Sequence, residues 1–107
     1  KELSDINAII RRTIAVFDLP YIHFESSQET IELCVDRNQM NRMLTNLLKN
    51  ALYATDSTPT PLIEVTSFIE GNYAYIVVKD NGSGVPIEDL ALVWRWLSIS
   101  LVLMLGR

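Results

Sequence analysis

The chain has 107 residues, 49% apolar and 21% charged, a balance that fits one globular domain and argues against intrinsic disorder. Its formal net charge of −4 argues against a general nucleic-acid surface, which is basic, although a local cationic spot is still allowed. The single cysteine, Cys34, makes no internal disulfide and no cysteine–histidine cluster points to zinc, so a reducing compartment is expected.

The opening run Lys1-Glu2-Leu3-Ser4-Asp5 is polar and acidic, unlike a signal peptide. Leu3, Ile6, Ile9, Ile10, Ile14 and Phe17 then recur at helical spacing, with Ser4 or Asp5 available as a cap and Asp18-Leu19-Pro20 as a stop. Residues 21–25 and 30–35, rich in β-branched and aromatic side chains, flank the polar run Ser26-Ser27-Gln28-Glu29 and read as a hairpin-like pair of strands. Asp36 stands where a cap is needed for a long helix over residues 36–55. The segment Asp56-Ser57-Thr58-Pro59-Thr60-Pro61 is a loop by composition. Strands over 62–69 and 73–79 follow, joined by the turn Glu70-Gly71-Asn72. Helices and strands are grouped rather than strictly alternating, which predicts an α+β class with a two-layer sandwich, helices lying on one face of a mixed sheet. The apolar tail, residues 96–106, is about half the length needed to span a bilayer and is expected to be a core helix or an exposed cut surface.

The long helix is the centre of the chain. On a helical wheel Gln39, Arg42, Asn46, Lys49, Asn50 and Tyr53 share an arc of roughly 100°, and Met40, Met43, Leu44, Leu47, Leu48, Ala51 and Ala54 take the other side. Asparagine is a poor helix former because its amide competes for backbone partners, so two of them one turn apart in mid-helix carry a local cost that calls for a reason. A strand over 73–79 runs directly into Asp80-Asn81-Gly82-Ser83-Gly84, where glycines two apart permit a tight turn and close approach to a ligand. Alone, either stretch is an ordinary solvated face or an ordinary turn; in this order, with a hairpin between them, they are far more specific.

Together they resemble the ATP-binding domain of sensor histidine kinases, within the GHKL ATPase superfamily. In that family an NLLxNA helix carries the asparagine box and VxDxGxG forms the first glycine box, and the resemblance runs from about residue 3 to residue 89 of one domain spanning 1–107. It implies the family's fold, a mixed sheet with helices on one side. It also implies ATP and Mg2+ as cofactors and a two-component function, in which the γ-phosphoryl group passes to a histidine on a separate dimerisation domain and then to a response regulator. By the resemblance Asn50 coordinates magnesium, Asn46 helps position phosphate, metal or water, Asp80 accepts from the adenine amino group, and Gly82 and Gly84 let the loop close over the base. The chemistry of the side chains agrees: an amide oxygen can join a magnesium shell otherwise filled by water and phosphate, and a carboxylate at a strand end suits an exocyclic amine. Lys49 could meet a phosphate as a point charge or, as is commoner for a lysine on a polar face, be solvated; Tyr53 could touch ribose or phosphate or pack at the edge of the core. Gln39 and Arg42, further up the helix, read as surface.

The resemblance also sets expectations by its departures. ATP-hydrolysing members of the chaperone, gyrase and mismatch-repair type carry a glutamate where Asn46 stands, which favours the kinase reading. A non-catalytic module for protein binding is the rival from another class. Residues 90–94 look like a degenerate start of the family's phenylalanine box, with Trp94 at the aromatic position. Residues 97–106 look like the helix that follows the second glycine box, while the lid, that box and the last strands are expected to be missing. The phosphate end of the site is then incomplete, and the bare sheet edge with its apolar tail is expected to favour self-association. His23, in a strand-like segment, reads as a strand-face residue rather than a phosphoacceptor. No direct membrane contact is expected, and the resemblance implies a cytoplasmic location, as part of a membrane-bound sensor.

Overall fold

The computed structural model describes residues 1–82 together with the backbone of Trp94–Trp96 and Ser100–Gly106. In chain order the elements are β1 (Glu2–Asp5), α1 (Ile6–Phe17), β2 (Ile22–Ser26), β3 (Glu32–Val35), α2 (Arg37–Ala54), β4 (Ile63–Glu70), β5 (Tyr73–Asp80), β6 (Trp94–Trp96) and β7 (Ser100–Gly106). They form a two-stranded sheet, β1-β3, and a five-stranded mixed sheet of order β2-β4-β5-β7-β6. Among the described strands only β2 and β4 run parallel; the other pairs are antiparallel.

Burial alternates along the central strands as a half-covered sheet requires. Ile63, Val65 and Ser67 of β4 and Ala74, Ile76, Val78 and Asp80 of β5 are buried, with more exposed residues between them. Ile6, Ile9 and Ile10 of α1 and Met40, Leu44, Leu47, Leu48 and Ala51 of α2 close over that face in one core. Each fully buried Ile, Leu or Met contributes about 1.5–3 kcal/mol relative to exposure, so this layer is the main source of stability. The α+β, two-layer expectation holds.

The first helix is shorter than its periodicity suggests. Leu3 belongs to β1, not to the helix, and is 62% exposed. The helix begins after Asp5, whose Oδ1 accepts from the Asn7 N–H, and it ends at Asp18 in the left-handed region (φ 52°), with the Asp18 N–H donating to the Ile14 carbonyl. A single apolar residue one turn ahead of a helix fits its spacing, yet Leu3 is claimed by pairing opposite Cys34.

The expected hairpin of residues 21–25 with 30–35 does not form. β2 pairs in parallel with β4, and β3 pairs antiparallel with β1. The reason lies at the start of α1. The Asn7 amide donates to the carbonyls of Gln28 (2.9 Å) and Glu29 (3.2 Å), and the Asp5 carboxylate accepts from the Ile31 N–H (3.0 Å). These bonds turn the connecting loop away from β2 and toward α1.

The apolar tail is a strand, not a helix. Ser100–Gly106 pairs with β5 from Lys79↔Ser100 to Tyr73↔Gly106, so the bare edge expected on β5 is covered. A short apolar run has no periodicity that separates buried strand from buried helix, and the unpaired edge of β5 offers the backbone partners that decide it. Residues 90–93, including the start of the expected phenylalanine box, lie outside the described residues, as do Ser83 and Gly84.

Candidate functional site

Helix α2 presents its polar face as expected. Asp36 caps it, with Oδ1 accepting from the Gln39 N–H (3.1 Å), and Thr55 closes the far end by donating from Oγ1 to the Ala51 and Leu52 carbonyls. Gln39, Arg42, Asn46, Lys49 and Tyr53 are exposed, and Asn50 is half-buried toward the C-terminal end. The helix holds Arg37, Arg42 and Lys49 and no carboxylate, a cationic element in a chain of net charge −4. Among the described residues Arg37 pairs with Glu2, whereas Arg42 and Lys49 carry no ion pair.

The asparagines divide into two kinds. The side-chain amides of Asn7, Asn41 and Asn81 all have partners within the fold. Among the described residues those of Asn38, Asn46, Asn50 and Asn72 have none, and of these Asn46 and Asn50 lie within the body of α2 on its polar face. Two amides on one face of α2, one turn apart and with no partner among the described residues, are available to an external ligand. Their neutral oxygens suit a strongly hydrated divalent cation that takes only one or two protein ligands, so the residues present fit Mg2+. No group of three or more His, Cys, Asp or Glu able to hold a metal ion occurs among the described residues.

The second half of the site is the end of β5. Asp80 is 7% exposed, and its Oδ1 accepts from the Gly82 N–H at 2.8 Å, which turns the chain at once. Gly82 then lies on the last turn of α2. A Cβ at position 82 would collide with the Ala54 carbonyl and stand 2.9 Å from the Thr55 nitrogen. Space, rather than a positive φ, therefore requires glycine here; among the described glycines Gly71 is the one with positive φ. Ala54 is one turn beyond Asn50, so the close contact brings the Asp80 loop to the asparagine end of the helix. Of the expected site residues, Asn50, Tyr53, Asp80 and Gly82 gather at this end. Asn46 lies one turn before Asn50 and Lys49 immediately before it, and with Asn38, Asn41, Arg42 and Thr45 they line an open groove along α2. His23 is exposed on the edge strand β2, opposite Glu64 and separated from β5 by β4.

Sequence reasoning missed Asn81. Its Oδ1 accepts from the Leu62 N–H (2.9 Å), its Nδ2 donates to the Thr60 carbonyl (2.8 Å), and its own N–H donates to the Leu62 carbonyl (3.2 Å). The Asp-Asn-Gly run signals a turn, but nothing local tells that its side chain will hold the loop before β4.

The described site is a glycine loop packed on the end of a cationic, amide-bearing helix, over one face of a mixed sheet. Residues 35–101 match the family described as histidine kinase-, DNA gyrase B-, and HSP90-like ATPase, and the chain belongs to that family. It is similar to an NtrY-like sensor histidine kinase of Rickettsia conorii, 37% identical over 65 residues that make up 61% of this chain and 11% of that protein. It is also similar to the sensor protein RstB of Escherichia coli strain K12, 32% identical over 88 residues, 81% of this chain and 18% of that protein. The chain thus spans a small part of the length of these relatives. The catalytic domain of the histidine kinase ThkA has the same fold, with a TM-score of 0.81 at 17% identity over 99% of this chain and 96% of that one. ThkA is also known in complex with the response regulator protein TrrA; that structure aligns with a TM-score of 0.78 at 14% identity, covering 97% of this chain and 41% of the kinase. No helix among the described residues is long and apolar enough to cross a membrane.

Proposed function

We propose that residues 1–107 are the ATP-binding catalytic domain of a two-component sensor histidine kinase, in the cytoplasmic part of a membrane-bound sensor. The observation that carries this reading is the packing of Gly82 on Ala54, which brings the buried Asp80 carboxylate to the helix end that bears Asn50. Asp80 accepts a hydrogen bond from the adenine amino group, oriented by the Gly82 N–H it already holds, and Gly82 and Gly84 let the backbone lie against the base. Asn50 is the metal ligand, and Asn46 positions phosphate and water from one turn earlier. Lys49 supplies a point charge to the phosphates and Tyr53 a surface for ribose. Bound Mg2+ supplies charge neutralisation on the phosphates. The residues of this chain bind and orient, which is most of what phosphoryl transfer asks of a protein.

Asn46 supports a kinase over an ATP-hydrolysing machine, because an amide cannot act as the general base that a carboxylate there would provide. The phosphoryl acceptor is a histidine on a separate dimerisation domain, since His23 sits on the far edge of the sheet, and a response regulator receives the group in turn. The complex known for ThkA supports that partner class.

The test is a nuclear magnetic resonance titration of ADP, ATP and GTP into the chain with and without Mg2+. Adenine nucleotides are expected to shift the amides of Asn50, Asp80 and Gly82, with Mg2+ strengthening the response at Asn50. Shifts confined to other parts of the surface, or none with any nucleotide, would overturn the reading.

A further inference from the structure

The β4–β5 ladder ends at the pair Ile63↔Asp80, so the carboxylate proposed to read the base stands on the last rung, where strands fray. Asn81 carries the pairing one residue further. Its N–H donates to the Leu62 carbonyl as a continuing ladder would, its side-chain oxygen takes the Leu62 N–H in place of the main-chain carbonyl a ladder would use, and its Nδ2 adds a bond to the Thr60 carbonyl that no ladder supplies. The amide thereby spans residues 60–62 with both of its ends. The segment it grips is stiff by composition: Pro59 and Pro61 fix φ, and each restricts the residue before it to extended conformations. On the opposite side Gly82 rests on the Ala54 carbonyl, and the Asp80 Oδ1 holds the Gly82 N–H. The loop is thus held between the proline segment and the end of α2, with Asp80 at the junction.

We propose that Asn81 is a specificity-positioning residue, whose clamp on residues 60–62 holds the Asp80 carboxylate in the one orientation that accepts from the exocyclic amine of adenine and rejects the carbonyl that guanine presents there. The inference rests on the reading of Asp80 as the base acceptor. It adds that base choice is set jointly by β5 and by the loop that follows α2. Asn81 touches no ligand; it acts through Asp80. Because Asn81 and Leu62 are both exposed, loss of the clamp lets water satisfy the freed groups and leaves the fold nearly as stable, while the carboxylate gains freedom.

The experiment compares ADP and GDP affinities, at fixed Mg2+, for the chain and for Asn81→Ala, Asn81→Asp and Asp80→Ala, with hydrogen exchange of the Leu62 amide and thermal melting in parallel. In Asn81→Ala the Leu62 amide is expected to lose protection, the melting temperature to move by no more than a few degrees, and the preference for ADP over GDP to fall about tenfold, the size set by a hydrogen bond or two. Asn81→Asp keeps the acceptor for the Leu62 N–H and is expected to retain both its protection and an intermediate preference. If Asn81→Ala exposes the Leu62 amide yet keeps the full preference, while Asp80→Ala abolishes it, Asn81 is only a loop staple and the inference falls. If Asp80→Ala also keeps the preference, the base is read elsewhere and the inference falls together with the reading beneath it.

Discussion

Gly82 and Ala54 are in backbone contact so close that no side chain fits between them, and this approach sets the loop after Asp80 against the end of the helix that carries Asn50. Gly82→Ala is therefore expected to force the loop off α2, destabilising the chain by about 1–3 kcal/mol as overpacking does and abolishing adenine-nucleotide binding. Gly71 is the control. It has φ +60° and open space around it, so Gly71→Ala costs about 1 kcal/mol through backbone strain and leaves nucleotide binding intact. Urea denaturation and ADP titration of both variants check the contrast.

Asn50→Ala separates ligand binding from folding. The Asn50 amide has no side-chain partner among the described residues, and alanine is the better helix former by about 0.5 kcal/mol. The variant is expected to be as stable as the parent or slightly more so, while the strengthening of nucleotide binding by Mg2+ disappears. Calorimetry at two Mg2+ concentrations, set beside a denaturation curve, reads both effects.

Asn7→Ala acts in the opposite sense. Asn7 and Ser67 are both fully buried, the Ser67 Oγ donates to the Asn7 Oδ1 at 2.6 Å, and the Asn7 Nδ2 reaches Ser26 and the 28–29 carbonyls. Removing the amide takes a partner from the buried Ser67 hydroxyl and releases the half-buried Ser26 and the 28–29 carbonyls, and is expected to cost about 1–3 kcal/mol, without a change in base preference. A double-mutant cycle with Ser67→Ala measures how much of the loss belongs to that pair.

For the 107-residue chain itself, ATP and ADP are expected to bind with affinities within about threefold of each other, because selectivity for a third phosphate requires charge-assisted donors aimed at it. After Gly84 the sequence holds one further glycine, Gly106, which sits in β7 opposite Tyr73, at the end of β5 remote from Asp80. Parallel titrations of the two nucleotides test this; a strong preference for ATP would show that other groups form a phosphate cradle.

The sequence by itself determined the elements whose signals are local. Asp36 caps α2 because a carboxylate beside a helix start accepts from its free N–H groups, and the polar arc of α2 follows from spacing alone; at α1 the sequence offered Ser4 or Asp5, and Asp5 is the cap. The class of site was legible through the resemblance to the histidine kinase family, because the two motifs that carry it are short and local. What only the tertiary structure decided was every pairing between distant segments. Leu3 went to a strand because Cys34 was there to meet it, β2 left β3 because the Asn7 amide and the Asp5 carboxylate captured the loop between them, and the tail became β7 because β5 had an open edge. Asn81 belongs to the same group: its partners lie 19 and 21 residues back along the chain. A hydrogen bond between segments that far apart leaves no periodicity in the sequence, because its geometry exists only once the sheet has brought both ends together.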